Sequence, residues 1–358
     1  MKNFLLSEFS TYKIGGLGKV VTPSSVNELK KILKYTRRKN LKTYIFGLGS
    51  NTLFPDNPDE EYIFISLKKL MKIKSQKGKV FLSSGVPSSV LAIIGLMSET
   101  EDLFFTHLLP GSIGGAIFMN ARCYNNEFCN ILDKIYYLDE KFNIKWIEQK
   151  NCSFAYKSSI FQHHKWTILG ATFNLNKKLR LRDIFKIKSF LKPINFSDLS
   201  YFYRHFCLEN IKNFFDIKEI PEVLYSIEND RKLKHHFDYP SCGSVFKNNY
   251  SFGSPTGKII DELGLKGFSS GGARISEFHG NFIINSARKS KRFTKFHKIL
   301  TIPIKNIPTT ITDNTGGMRA IINHLIKEHG YKRIAFVRGP HGQIEADQRF
   351  EAYKAELK

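Results

Sequence analysis

No run of about 18 apolar residues occurs in the 358, so a membrane-spanning helix is excluded. The first ten residues lack the length and the small-residue cleavage site of a secretory signal. Cysteine is scarce and scattered: Cys123, Cys129, Cys152, Cys207 and Cys242, an odd set with no CxxC pair. It reads as reduced thiols in a cytoplasmic protein. Acidic residues are also short, 32 against 55 Lys and Arg, leaving a net charge of +23. That surplus predicts anionic partners and says nothing about fold. With 42% hydrophobic and 24% charged residues, a mainly disordered chain is excluded.

Alanine is scarce in one part only. The first 300 residues hold seven and the last 58 hold five, and the Lys-, Ile-, Phe- and Asn-rich bias of the first part stops there. A junction is expected near Thr301–Thr310, where Pro303 and Pro308 interrupt any helix. Ahead of it, strands and helices alternate. Ser25 and Glu28 have capping-box spacing before the apolar face Leu29, Ile32, Leu33. Strands are predicted at 43–46, 79–83, 144–148 and 167–175. Ser88 and Ser89 are predicted to cap a helix over Val90–Met97. Residues 177–232 read as a basic, aromatic helical insertion, with Ile184, Ile187, Phe190 and Leu191 on one face. Its stretch Tyr201–Phe215 has a composition that binds nucleic acid in some proteins, but an inserted amphipathic helical pair is the commoner cause.

Three segments carry candidate chemistry. Gly47-Leu48-Gly49-Ser50-Asn51 follows a predicted strand; its glycines admit close backbone approach to an anion, and Ser50 and Asn51 add donors. It lacks the third glycine of the dinucleotide fingerprint. Pro110-Gly111-Ser112-Ile113-Gly114-Gly115-Ala116, with Asn120 beyond it, is a second such loop, and the two together favour a large phosphate-bearing cofactor over a pair of structural turns. The third is Pro240 to Asn248, where Ser244 follows Gly243 and precedes Lys247-Asn248. A serine so framed suits a proton donor or a nucleophile, though no GxSxG elbow is present; its hydroxyl can protonate a strongly basic carbanion, and Cys242 reads as a small buried filler. A fourth segment, Gly257–Gly267, reads as a short helix closed by Gly264. The His163-His164 and His235-His236 pairs lack a ligand set, so no metal site is expected.

These runs, with Thr11–Gly16, Tyr156-Lys157-Ser158-Ser159 and His279–Asn285, stand in an order that resembles the UDP-N-acetylenolpyruvoylglucosamine reductases, also called UDP-N-acetylmuramate dehydrogenases. The resemblance spans about residues 10–290. It implies an α+β protein: an FAD-binding domain of the vanillyl-alcohol-oxidase type with two subdomains, a smaller α/β substrate domain and, here, a C-terminal βα fragment. Gly47, Gly49, Ser50, Asn51, Pro110, Gly111, Ser112, Gly114, Gly115 and Asn120 would hold FAD. Tyr156, Lys247 and Asn248 would bind substrate. NADPH would supply a hydride that FAD passes to the enolpyruvyl group, and Ser244 would protonate the adjacent carbon. The implied partners are a UDP-sugar and NADPH, all polyanions that suit the positive charge, with no nucleic acid and no membrane insertion.

Two departures stand out. Where the family has Arg, this chain has Lys157, which keeps the charge but loses the bidentate fork on a carboxylate; Lys157 is still expected to pair with the substrate's carboxylate. The family's late Glu-bearing strand has no counterpart, since the contexts of Glu328 and Glu345 do not match. Turnover is therefore expected to be impaired, and the alternative is a flavin- or nucleotide-binding protein of this fold without turnover. The expected division is 1–176 for FAD, 177–232 the insertion, 233–300 a truncated substrate domain and 301–358 a foreign segment. About 308–358 resembles a slice of the sugar-binding domain of lactose-repressor-type regulators, read as helix 316–328, strand 333–337 and helix 346–358. That pattern fits a gene fusion or a mis-joined sequence.

Overall fold

The computed structural model describes residues 2–192, 196–249, 252–287 and 350–355. Residues 1–268 with 274–286 form one compact unit, and 269–273 with 287–358 form a second. Within the second, 350–355 is helical, inside the predicted 346–358 helix. The junction near 301–310 and the elements predicted at 316–328 and 333–337 lie outside the described residues, as do Glu328 and Glu345.

The first unit opens with strands β1 (Asn3–Leu5), β2 (Leu17–Val21), β3 (Lys42–Phe46) and β4 (Tyr62–Ser66), in the order β1-β2-β4-β3. β2 and β3 both run parallel to β4. Helix α1 (Val26–Arg38) joins β2 to β3. Ser25 Oγ accepts from the Glu28 N–H at 3.2 Å, as the spacing predicted, but the Glu28 carboxylate returns to the Ser24 N–H at 2.7 Å, one residue earlier than in a capping box. Leu29 and Leu33 of α1 pack on Ile63 and Ile65. Phe64, Phe46 and Phe54 pack on the opposite face, Phe46 and Phe54 edge-on at 5.0 Å. Both faces are covered, which is why Tyr62–Ser66 reads as a continuous apolar run rather than an alternation.

A second sheet is antiparallel: β5 (Ile73–Gln76), β6 (Lys79–Ser83), β9 (Leu132–Leu138), β10 (Ile144–Glu148) and β11 (Thr167–Asn174), in the order β10-β9-β11-β6-β5. The two-residue strands β7 (Arg122–Cys123) and β8 (Asn126–Glu127) form a small hairpin before β9. Val80, Leu82, Ile135, Ala171 and Phe173 face the main core, which also takes α2 (Val90–Ser98) and α3 (Ile113–Phe118). A single turn, α4 (Phe128–Ile131), leads into β9. On the other face Phe81, Tyr136 and Trp146 form an aromatic group.

The described residues of 177–232 form four helices, α5 (Leu181–Phe190), α6 (Leu199–Phe206), α7 (Leu208–Phe215) and α8 (Glu222–Leu233), of which α6 and α7 are the helical pair expected over Tyr201–Phe215. Phe202, Phe206 and Phe215 of the aromatic stretch are buried, and Phe190 packs against Phe206 and Phe215 at 5.6 and 5.2 Å. These aromatics are core, not a stacking platform for bases. The chain then forms β12 (Ser241–Ser244), antiparallel to the strand Phe282–Asn285, and helix α9 (Thr256–Glu262), after which Gly264 turns at φ +67°.

Gly170 sits in β11, where a Cβ would lie 2.5 Å from the Leu82 carbonyl oxygen and 2.7 Å from the Phe81 ring. Backbone cannot give way there as a flexible side chain can. Gly170→Ala is expected to cost about 1–3 kcal/mol, the range for overpacking, read as a lower urea midpoint with an unchanged slope.

Candidate active site

The two glycine loops meet. A Cβ on Gly47 would fall 2.0 Å from Ser112 Oγ, and one on Gly111 would fall 2.8 Å from Ser50 Oγ. Ser50 Oγ donates to the Pro110 carbonyl at 3.2 Å, and Ser66 Oγ to the Gly47 carbonyl at 3.0 Å. Gly49, at φ +70°, lies so close to the Phe9 carbonyl that a Cβ would overlap it at 1.8 Å. Ser88 and Ser89 hold the second loop from beneath: their hydroxyls reach the Leu109 carbonyl at 2.8 and 3.0 Å. They make no side-chain cap on α2, contrary to the sequence expectation, because the loop's carbonyls compete for the same hydroxyls.

Among the described residues, none uses the backbone N–H of Gly49, Ser50, Asn51, Gly111 or Ser112 as a hydrogen-bond donor to itself. Uncommitted amides on glycine-rich turns are the donor set that suits a phosphate-bearing group such as FAD. Gly114 is instead a packing position, its missing Cβ 2.8 Å from Ser84 Cβ, and Gly115 donates to Ser112 Oγ at 3.3 Å. Asn120 is buried and its amide is committed: Nδ2 donates to Glu127 and to the Ala155 carbonyl, and Oδ1 accepts from the Cys129 N–H. It braces the loop with those atoms and does not leave them for a ligand.

The Pro240 segment and its partner strand are joined to this region by three bonds, two of them buried. Thr11 Oγ1 donates to the Ser241 carbonyl at 2.7 Å, Cys242 Sγ to the Thr52 carbonyl at 3.4 Å, and Asn285 Nδ2 to the Tyr12 carbonyl at 3.0 Å. Burial pushes the Cys242 thiol up to about 11, which suits a filler and not a nucleophile. Ser244 ends β12 opposite Phe282 and is exposed. Beyond it, Asn281 clamps the Phe246 N–H and carbonyl, both at 2.9 Å. Tyr156 Oη accepts from the Asn248 N–H at 3.1 Å, and Asn248 Oδ1 accepts from the Thr256 N–H at 3.0 Å. Thus Tyr156 and Asn248 meet, with Lys157 adjacent, half-buried and at φ +56°. Lys247 is exposed and its carbonyl accepts from Thr256 Oγ1 at 3.2 Å.

Sequence reasoning missed a buried polar hub. Glu228 of α8 binds His107 Nε2 at 3.1 Å, the Leu208 N–H at 2.8 Å, Tyr203 Oη at 3.2 Å and Lys232 Nζ at 3.1 Å. His107 lies three residues before Pro110, so α6, α7 and α8 are tied to the second glycine loop. The available signal was spacing: Leu224, Ile227, Glu228 and Arg231 share one buried face of α8. Burial raises the Glu228 carboxyl, but the bonds from His107, Leu208 and Lys232 outweigh it and hold the value at about 2. Burial lowers His107 and exceeds the pull of Glu228, leaving a neutral ring that donates to an ionised carboxylate.

Among the described residues, no group of His, Cys, Asp and Glu is arranged to hold a metal ion, no helix is long and apolar enough to cross a membrane, and all five cysteines are free thiols.

Comparison with known proteins fixes the class first. Residues 18–140 match the family model of an FAD binding domain, and the parallel and antiparallel sheets with their helices form an α+β fold. A solved UDP-N-acetylenolpyruvylglucosamine reductase from Thermus caldophilus superposes with a TM-score of 0.58 at 20% identity, covering 83% of this chain and 92% of its own. Residues 235–301 match the model of the UDP-N-acetylenolpyruvoylglucosamine reductase C-terminal domain. The reductase of Borreliella burgdorferi is 34% identical over 281 residues, 78% of this chain and 81% of its own length. That of Treponema denticola is 32% identical, covering 87% and 88%. The chain belongs to the UDP-N-acetylenolpyruvoylglucosamine reductase family.

The hub gives a pH prediction. A depressed histidine value means the unfolded chain takes up protons first below its ordinary 6.5, and a depressed carboxylate does the same below 4.5. Unfolding free energy is therefore expected to fall as pH drops below about 6.5, where His107 and the likewise lowered His236 and His279 contribute, and to fall further from 4.5 towards 2. Glu228→Gln should flatten that second limb in urea melts run across the range. An unchanged limb would show that the hub does not carry it.

Proposed function

We propose that this chain reduces the enolpyruvyl group of UDP-N-acetylglucosamine enolpyruvate to UDP-N-acetylmuramate in peptidoglycan synthesis, with FAD as cofactor and NADPH as reductant. The observation that carries the reading is the buried joint of Thr11 and Thr52 to Ser241 and Cys242, which ties the FAD-type loops to the serine segment of the reductase domain. FAD, when bound, supplies hydride transfer. Gly49, Ser50, Asn51, Gly111 and Ser112 offer it their amides; Gly47 lets the two loops close on each other, and Gly114 lets the second pack on Ser84.

The chain's other residues serve the substrate. Tyr156, Lys247 and Asn248 bind it, and the Lys157 ammonium offsets the charge of its carboxylate as negative charge grows at the neighbouring carbon. Ser244 Oγ–H holds the proton that this carbon receives. Exposure of Ser244 at the end of β12, two residues before the backbone that Asn281 clamps at Phe246, supports that role, since the hydroxyl is reachable from a held strand end. Work of this kind belongs in the cytoplasm, serves cell-wall formation and through it cell shape and division, and needs neither nucleic acid nor a membrane-spanning segment. The divisions 1–176, 177–232 and 233–300 are read as FAD, insertion and substrate regions. The segment 301–358 is read as a fragment of a regulator-type sugar-binding domain.

A second reading rests on one observation: the Glu-bearing run of the family has no counterpart in this sequence. Under it the chain holds flavin or nucleotide without turning over the enolpyruvyl substrate. Purified protein should show flavin absorbance bands, alone or after reconstitution with FAD; a colourless protein that takes up no FAD overturns both readings. NADPH oxidation that rises on adding the enolpyruvyl sugar supports the first, and flavin reduction without substrate turnover supports the second. If turnover is found, Ser244→Ala is expected to lower kcat by about 10²–10⁴-fold, the range for loss of a general acid. Lys157→Ala should raise KM and lower kcat; unchanged values would remove Lys157 from the site.

A further inference from the structure

The solvent face of α5 is unlike that of an ordinary surface helix. Leu181 is 72% exposed and Phe185, one turn on, is 62% exposed. At 100° per residue these two form a ridge, with Lys188 on one flank and Arg182 and Lys186 on the other. All five side chains face solvent, and the Lys188 ammonium lies 6.0 Å from the Phe185 ring. The acid of this helix, Asp183, is turned inward, 5% exposed and paired with Arg180 at 3.2 Å and Arg182 at 3.7 Å. Lys178 and Lys192 extend the cationic run at either end, whereas Lys177 is paired with Glu99. α5 packs beside β5, the edge strand of its sheet, which adds exposed Lys72 and Lys74.

An apolar ridge flanked by cations is the pattern of a helix that lies in a lipid–water interface, its ridge in the acyl boundary and its cations at anionic headgroups. We propose that α5 docks this enzyme peripherally on an anionic bilayer surface, with Leu181 and Phe185 inserted and Arg182, Lys186 and Lys188 on the headgroups. Charge complementarity selects this occupant over a second copy of the chain, which would bring the same cations face to face. RNA is the weaker fit, because the most exposed side chain is aliphatic Leu181, which offers no stacking surface for a base.

The test is sedimentation of the full FAD-loaded chain with sucrose-filled vesicles of phosphatidylglycerol and phosphatidylcholine, against vesicles of phosphatidylcholine alone, at low and high salt. The expected result is binding to the anionic vesicles only, weakened by salt. Both the double variant Leu181→Ser with Phe185→Ser and the double variant Lys186→Glu with Lys188→Glu should lose about tenfold or more in partitioning. Flavin content and melting temperature should stay those of the parent, because all four side chains are exposed. No binding to anionic vesicles overturns the proposal. So does binding that survives the serine pair, which would be bulk electrostatics, and so does a serine pair that converts a dimer to a monomer without changing lipid binding. RNA binding that displaces the vesicles and is lost in the serine pair overturns it in favour of RNA.

Discussion

The hydroxyl of Thr11 reaches the carbonyl of Ser241, 230 residues further on, at 2.7 Å in a buried setting. Most of the site depends on this contact and its two neighbours, Cys242 to Thr52 and Asn285 to Tyr12. Each joins a side chain to a backbone carbonyl, and a buried carbonyl left without its donor costs about 1–3 kcal/mol. A slip of β12 by one residue would break two of the three at once and would also turn Ser244 to the other face of its strand. The position of Ser244 relative to the Gly49–Asn51 turn is therefore set by hydrogen bonds and not by the length of chain between them.

The helical insertion has a role of the same kind. Its aromatics fill the main core, and Glu228 spends both oxygens on partners from three helices and from the entry to the second glycine loop. A buried carboxylate is tolerable only when its acceptor capacity is met, so the arrangement stands or falls as a set. The set fixes His107, and His107 precedes the Pro110–Ser112 turn that packs on Gly47 and Ser50. Insertion and flavin-type loops thus form one mechanical unit, although 121 residues separate the two partners in sequence.

Elements with local causes were legible. The helix after Ser25, the strands at 79–83 and 144–148 and the Gly264 stop are written in caps, alternation and glycine. The ordered glycine and serine motifs carry the resemblance to the family in the sequence itself, because close backbone approach admits few residue types. Ser88 and Ser89 were misread because a serine before a helix has the same letter whether it caps the helix or bonds a distant carbonyl. Asn120 sits within the right motif, yet its amide is used up by Glu127, Ala155 and Cys129, none of which is a sequence neighbour that pattern could pair with it. Glu228 was invisible for a related reason: a charged residue on an apolar helical face looks like an edge of that face until its partners appear.

The cation proposed for the substrate's carboxylate is Lys157, which supplies field without a fork. A lysine ammonium has no planar fork, so it orients a carboxylate less firmly while attracting it as strongly. The field around it is cationic beyond its own charge. Burial raises the Cys123 thiol, and Arg231 and Lys157 oppose that rise. Arg231 is itself buried, with Nη2 3.7 Å from Cys123 Sγ and its guanidinium 5.3 Å from the Tyr124 ring. Cations held in low dielectric act over longer distances than exposed ones, which salt screens within about 10 Å. Of the cations behind the chain's net charge of +23, Arg231 is one held in a buried setting, where its field is least screened.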